Sequence, residues 1–75
     1  MIMLNELNLN EEAIVIDVKN DKLLKRRLLD IGIIPGINIK KILISPFKGI
    51  AGYLVMDSII AIRDNDAKFI EVAYD

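Results

Sequence analysis

The side chains that carry most enzyme chemistry are missing from this chain, which has no histidine and no cysteine. Imidazole is the commonest general base and thiolate the readiest nucleophile, so two routes to catalysis close together. The serines, Ser45 and Ser58, stand outside any nucleophile-elbow context, and no phosphate-cradling glycine pattern occurs. Soft metal sites built from Cys and His are excluded as well. Asp64 and Asp66 could offer oxygens to a hard cation. Two carboxylates two apart in a turn are more simply a helix cap and a solvated tip. The expectation is a domain that binds, with no catalytic residue, no metal ligand and no cofactor.

Charge narrows what it binds. Ten basic and eleven acidic side chains give a net charge of −1. A polyanion binder usually carries a basic excess, and stacking aromatics beside its bases. Lys25, Arg26 and Arg27, with Lys40 and Lys41, make at most a local patch, and Phe47, Tyr53, Phe69 and Tyr74 are too scattered to join it. Nucleic acid is therefore not the expected partner. A proline-rich ligand would need those aromatics clustered, which their spread does not suggest.

The elements that must position any binding surface follow from periodicity. At 75 residues the chain is expected to form a single domain (1–75) that folds on hydrophobic packing alone, without disulfides. Fifteen residues are isoleucine, a strand former stiff at its branched β-carbon. Ile, Asn, Lys and Asp rise together in AT-rich genomes, so codon bias is the expected source of much of that excess, yet it leaves more apolar surface than so small a core hides. Leucines at 4, 7 and 9 read as a pinning segment. "AIVIDV" alternates as a strand, with Ile14, Ile16 and Val18 on one face.

After a break at "KND", where Asn20 or Asp21 can cap, a helix is expected from about Lys22 to Ile31. Leu24, Leu28 and Ile31 form its apolar stripe, with Leu23 at the edge. Gly32 ends the helix, and Pro35-Gly36 suits a type II turn. In "INIKKILIS" the apolar parity flips at Lys40-Lys41, which a β-bulge there would explain. A hairpin at Met56-Asp57, a one-turn corner "DNDA" capped by Asp64, and a last strand with Ile70 and Val72 inward complete the chain. The fold class is mainly β: a small, strongly bent antiparallel barrel of about five strands with one short inserted helix.

Two side chains break the helix pattern. Leu29 falls among Lys22, Lys25 and Arg26, where a charged residue is expected, and Arg27 falls at the rim of the apolar sector. With Ile33 and Ile34 beside the rigid turn, Leu29 would form an apolar centre with a cationic rim, the anatomy of a protein interface. The candidate partner-binding residues are Lys25, Arg26, Leu29, Ile33 and Ile34. The competing reading packs the isoleucines into the barrel mouth, and adjacent positions make that the better reading for one of them. For Arg27, a structural role is preferred, its stem on the core and its guanidinium on loop carbonyls.

"RRLLDIGIIPG", a lysine-flanked strand, a proline loop, "SIIAIR", Ala67 and "IEV" resemble, in order and spacing, the FeoA family of bacterial ferrous iron transport accessory proteins. The likeness runs from about Leu4 to Val72. Arg27, Gly32, Pro35 and Gly36 carry its helix-to-turn motif, and Ala61, Ile62 and Arg63 match the family's Ala-Leu-Arg signature. The resemblance implies an SH3-like barrel acting in the cytoplasm, or at the inner face of the membrane, through contact with the permease FeoB, with transition-metal association at family level. It departs at Phe47-Lys48-Gly49-Ile50, where relatives often carry Gly-Asp-Pro, and at Asp57, which replaces a hairpin glycine.

Two alternatives remain. The same barrel forms the C-terminal domain of iron-dependent repressors of the diphtheria-toxin-repressor type, although a methionine start and no winged helix favour a free-standing protein. A generic barrel that binds peptides or self-associates through a free strand edge is the other. No apolar run reaches the length of about 20 residues that spans a bilayer, so direct membrane insertion is not expected.

Overall fold

In the computed structural model, which describes residues 2–47 and 49–74, strands dominate as expected. The elements run β1 (Ile2–Met3), a 3-10 turn (Leu4–Glu6), β2 (Glu12–Val18), α1 (Lys22–Asp30), β3 (Asn38–Ile44), β4 (Ile50–Val55), β5 (Ser58–Arg63), α2 (Asp64–Ala67) and β6 (Ile70–Tyr74). The six strands form one sheet in the order β1-β6-β2-β3-β4-β5, every neighbouring pair antiparallel. Its concave face wraps a single core that includes Leu4, Val15, Ile39, Tyr53, Ile70 and Val72. Leu4 and Leu7 pin the N-terminal segment onto this core, whereas Leu9 is exposed.

Two bulges bend the sheet and correct the face assignments. In β2 the register with β6 shifts between Val15 and Asp17, so Ala13, Val15 and Val18 are buried and Ile16 is exposed. The extra residue of a bulge reverses side-chain parity beyond it, which a strict period of two cannot anticipate. In β3 the shift lies between Lys41 and Leu43, one residue beyond the expected place. Ile39 and Lys41 therefore share the buried face, and Leu43 and Ile44 are exposed. Lys41 is accommodated because its ammonium donates to the Asn5 carbonyl at 3.2 Å and lies over the Tyr53 ring.

The helix is bounded as its sequence suggests. Asp21 is the N-cap, its Oδ1 accepting from the Leu24 N–H at 3.1 Å. At the other end Gly32 has φ +103°; its N–H bonds to the Leu29 carbonyl and the Ile33 N–H to the Leu28 carbonyl. That pair of bonds is a Schellman closure. The helical stripe is narrower than expected: Leu28 is buried and Leu24 half-buried, but Leu23 is 80 % exposed and Ile31 also faces out.

Gly36 has φ +96° and the Ile37 N–H bonds back to the Ile34 carbonyl at 3.3 Å, as a type II turn requires. Val15 clamps this turn through both its main-chain groups, accepting from Gly36 and donating to Ile37. Met56 and Asp57, both at positive φ, form the two-residue hairpin between β4 and β5. Asp64 is the first residue of α2 and not its cap; Arg63 occupies the cap without a side-chain bond. Asn20, buried between the two helices, donates Nδ2–H to the Asp66 carbonyl at 2.9 Å and ties the start of α1 to α2.

Candidate functional site: a helix with two working faces

The Schellman closure and the clamped turn fix the direction of α1, and its two sides present different chemistry. Lys22, Lys25, Arg26 and Leu29 share one stripe at helical spacing. Lys25 and Arg26 are exposed, and Leu29 is half-buried despite its basic neighbours. Ile34, just past the helix, is 40 % exposed, while Ile33 is 0 % exposed. Ile33 must therefore be removed from the candidate surface: the Schellman closure turns it into the core, and its neighbour points the other way. What remains accessible of the candidate set is Lys25, Arg26 and Ile34, with Leu29 half-buried. The turn residue Pro35 is exposed beside them.

The opposite side of α1 borders a groove of about 450 Å³ that separates it from β5 and α2. Leu24, Leu28, Ile31 and Ile62 supply its apolar lining; Arg27 and Asp30 on the helix, with Arg63 and Asp66 across from it, supply the charges. Arg27 is exposed and, among the described residues, its guanidinium makes no hydrogen bond or ion pair. The expected bonds to loop carbonyls are thus not made. Arg63 is exposed as well, without a side-chain partner among the described residues. The helix motif and the Ala61-Ile62-Arg63 motif, far apart in sequence, face each other across this groove.

Sequence reasoning named Arg27 and Arg63 but gave them structural roles, and it missed Asp30 and Asp66 as groove residues. The available signal was the position of Arg27 at the rim of the apolar stripe. The partner wall came from β5, which helical periodicity says nothing about.

Other titratable groups lie elsewhere. Burial, with Asp64 nearby, pushes the Tyr53 hydroxyl up to about 12. Partial desolvation and a bond to Glu11 raise that of Tyr74. Among the described residues no three His, Cys, Asp or Glu side chains gather as a metal site, and no helix is long and apolar enough to cross a membrane. Lys48, in the divergent 46–50 loop, lies outside the described residues.

Comparison with known proteins agrees with this architecture. A protein named for iron transport, Fe(2+) transport protein A of Campylobacter jejuni, is 40 % identical over 70 residues, covering 92 % of this chain and 93 % of that protein. A fusion of Fe(2+) transport protein A with the Fe(2+) transporter FeoB in Porphyromonas gingivalis is 29 % identical over 69 residues. The match takes in 92 % of this chain and only 8 % of the fusion's length. The solution structure of FeoA from Chlorobium tepidum superposes with a TM-score of 0.91 at 26 % identity, over 97 % of this chain and 70 % of that one. A manganese-dependent transcriptional repressor contains the same fold, with a TM-score of 0.84 at 16 % identity over 97 % of this chain and 41 % of its own. The FeoA-domain family model matches residues 2–74. With an SH3-like fold and a family match over nearly its whole length, this chain belongs to the FeoA family, the accessory proteins of Fe(2+) transport.

Proposed function

We propose that this protein is a non-enzymatic accessory of bacterial ferrous iron uptake that docks on the cytosolic part of a FeoB-type permease. The observation that carries the reading is the Porphyromonas fusion, in which a relative of this chain and FeoB are parts of one polypeptide. Covalent linkage holds two modules at high effective concentration, an arrangement suited to partners that act together. A working contact between two such modules needs a surface, and the outward stripe of α1 supplies a candidate. Lys25 and Arg26 form a cationic rim around Leu29 and Ile34, and such mixed patches, apolar at the centre and polar at the edge, are how protein interfaces are built. In this reading the protein works in the cytoplasm, at the inner face of the membrane through its partner. The repressor-domain reading ranks lower, because the manganese-dependent transcriptional repressor shares the fold at 16 % identity, which shows the fold alone, whereas the FeoA-domain family model matches residues 2–74.

The test is calorimetric titration of the full chain into the isolated cytosolic domain of the permease from the same organism. Binding that weakens with Ile34→Glu supports the reading. Absence of binding by the unmodified chain removes it.

A further inference from the structure

The two edges of the sheet are not alike. One is β1, only two residues long. The other is β5, whose six residues, Ser58–Arg63, pair with β4 on one side and, among the described residues, with no strand on the other. Natural edge strands are usually blunted by proline, by lysine, by a bulge or by brevity. β5 has none of these: its pairing with β4 runs unbroken from Val55–Ser58 to Ile50–Arg63, and Arg63 is its one charge.

The hairpin decides which main-chain groups are left open. In a two-residue hairpin the residues flanking the loop, here Val55 and Ser58, form a hydrogen-bonded pair, and bonded pairs alternate along the ladder. Ser58, Ile60 and Ile62 therefore turn their N–H and C=O groups toward β4. Ile59 and Ala61 turn theirs toward the open edge, where among the described residues they find no backbone partner outside the sheet; Arg63 turns its N–H the same way, while its carbonyl, at the cap of α2, accepts the first bond of that helix. Ala61 and Arg63 are also lining residues of the groove whose far wall is α1. An unpaired strand edge thus runs along a cleft walled by a helix.

We infer that this cleft is a β-augmentation site, taking an extended segment of another protein as a further strand between β5 and α1. The inference does not depend on the outward face of α1 or on the FeoB reading. The Ala61 N–H and C=O and the Arg63 N–H would bond the incoming strand, as strand-addition domains do. Alternation sets its side chains. On β5, Ile62 is buried and Ile60 half-buried, while Ile59, Ala61 and Arg63 are exposed. An added strand must follow suit, with apolar residues inward against Ile62, Leu24 and Leu28, and polar ones outward beside Arg63. Arg27 and Arg63 have no carboxylate partner among the described residues, although Asp30 and Asp66 line the same groove. The occupant is therefore a segment of about five residues, roughly 17 Å long in the extended state. It alternates apolar with polar and places an acidic side chain at the two guanidiniums, which favour planar carboxylates.

The probe is the peptide acetyl-Thr-Val-Glu-Val-Thr-Val-amide, titrated into the full-length 15N-labelled chain. Expected are saturable amide shifts centred on Ile59, Ala61 and Arg63, with those amides becoming slower to exchange with solvent. A probe N-methylated at alternate amides keeps every side chain but loses the ladder bonds, and should bind about tenfold or more weakly. Ala61→Pro removes an N–H that the sheet does not use, so the fold should tolerate it while the unmethylated probe loses affinity. No shifts by about 5 mM peptide, a concentration that detects even millimolar affinity, would overturn the site. So would equal binding of the methylated probe. A concentration-dependent dimer abolished by Ala61→Pro would assign the edge to a second copy of this chain and overturn the inference equally.

Discussion

The Lys41 ammonium lies 5.7 Å from the centre of the Tyr53 ring, and both residues are buried, Lys41 at 6 % and Tyr53 at 0 % exposure. A lysine is rarely so enclosed without a partner. Here it has two, the ring face and the Asn5 carbonyl, and the contact joins the N-terminal segment to the middle of β3 and β4. Replacing a buried charge by an apolar side chain of similar shape is often close to neutral. Lys41→Met should therefore change unfolding stability by less than about 1.5 kcal/mol. Lys41→Ala, which also empties the space of the stem, should cost about 2–3 kcal/mol. Urea unfolding of the two variants separates the role of the stem from that of the charge.

Tyr53 makes stability depend on pH in the alkaline range. Its hydroxyl is pushed up to about 12 from an ordinary value of 10.0 by burial, with Asp64 adding to the shift. Between those values the unfolded chain loses the phenolic proton while the folded one keeps it, so stability is complete below pH 10 and falls as pH rises toward 12. Tyr53→Phe should flatten that decline, while the raised hydroxyl of Tyr74 keeps its own contribution. The hydroxyl has no hydrogen-bond partner among the described residues. At neutral pH the Phe variant should thus be as stable as the parent or up to about 1 kcal/mol more so. Urea midpoints at neutral and alkaline pH, for parent and variant, decide both points.

Two glycines separate backbone strain from crowding. Gly36 has φ +96° with nothing among the described residues within 4 Å of where a Cβ would stand, so Gly36→Ala meets conformational cost alone. Gly32 has φ +103° and a Cβ there would lie 2.8 Å from Met56 Cε, the mobile end of a flexible side chain. Both alanine variants should lose about 1–2 kcal/mol from the positive φ. Adding Met56→Ala to Gly32→Ala should recover little, because the methionine tip can move. A large recovery in thermal melts would show that crowding, and not the helix terminator, governs Gly32.

On the outward face of α1, Ile34→Glu should leave the melting temperature within a few degrees of the parent, since the side chain is 40 % exposed. Leu29→Glu, at a half-buried position, should cost about 1 kcal/mol of stability yet still fold. If this face docks on the permease, both variants weaken binding and lower ferrous uptake, Ile34→Glu without the stability loss. Uptake and binding unchanged in both would move the docking surface elsewhere.

The order of the elements from β2 onward, a cap at Asn20 or Asp21, the Gly32 stop, the Pro35-Gly36 turn and the Met56-Asp57 hairpin were legible in the chain, because each rests on local rules of backbone geometry acting within a few residues; the two-residue β1, a sixth strand beyond the five expected, was not. The lack of imidazole and thiol was equally plain. Ile70 and Val72 were rightly read as inward, and the β3 bulge was legible to within one residue, but the inward face of β2 was not, since the single-residue bulge after Val15 reverses parity and is set by pairing with a distant strand. Ile33 and Ile34 look alike in sequence, and only the path of the chain after the helix sent one inward and left the other outside. The groove is the strongest case: Arg27 and Arg63 line it together solely because the sheet bends far enough to bring β5 beside α1, and no local pattern records that approach.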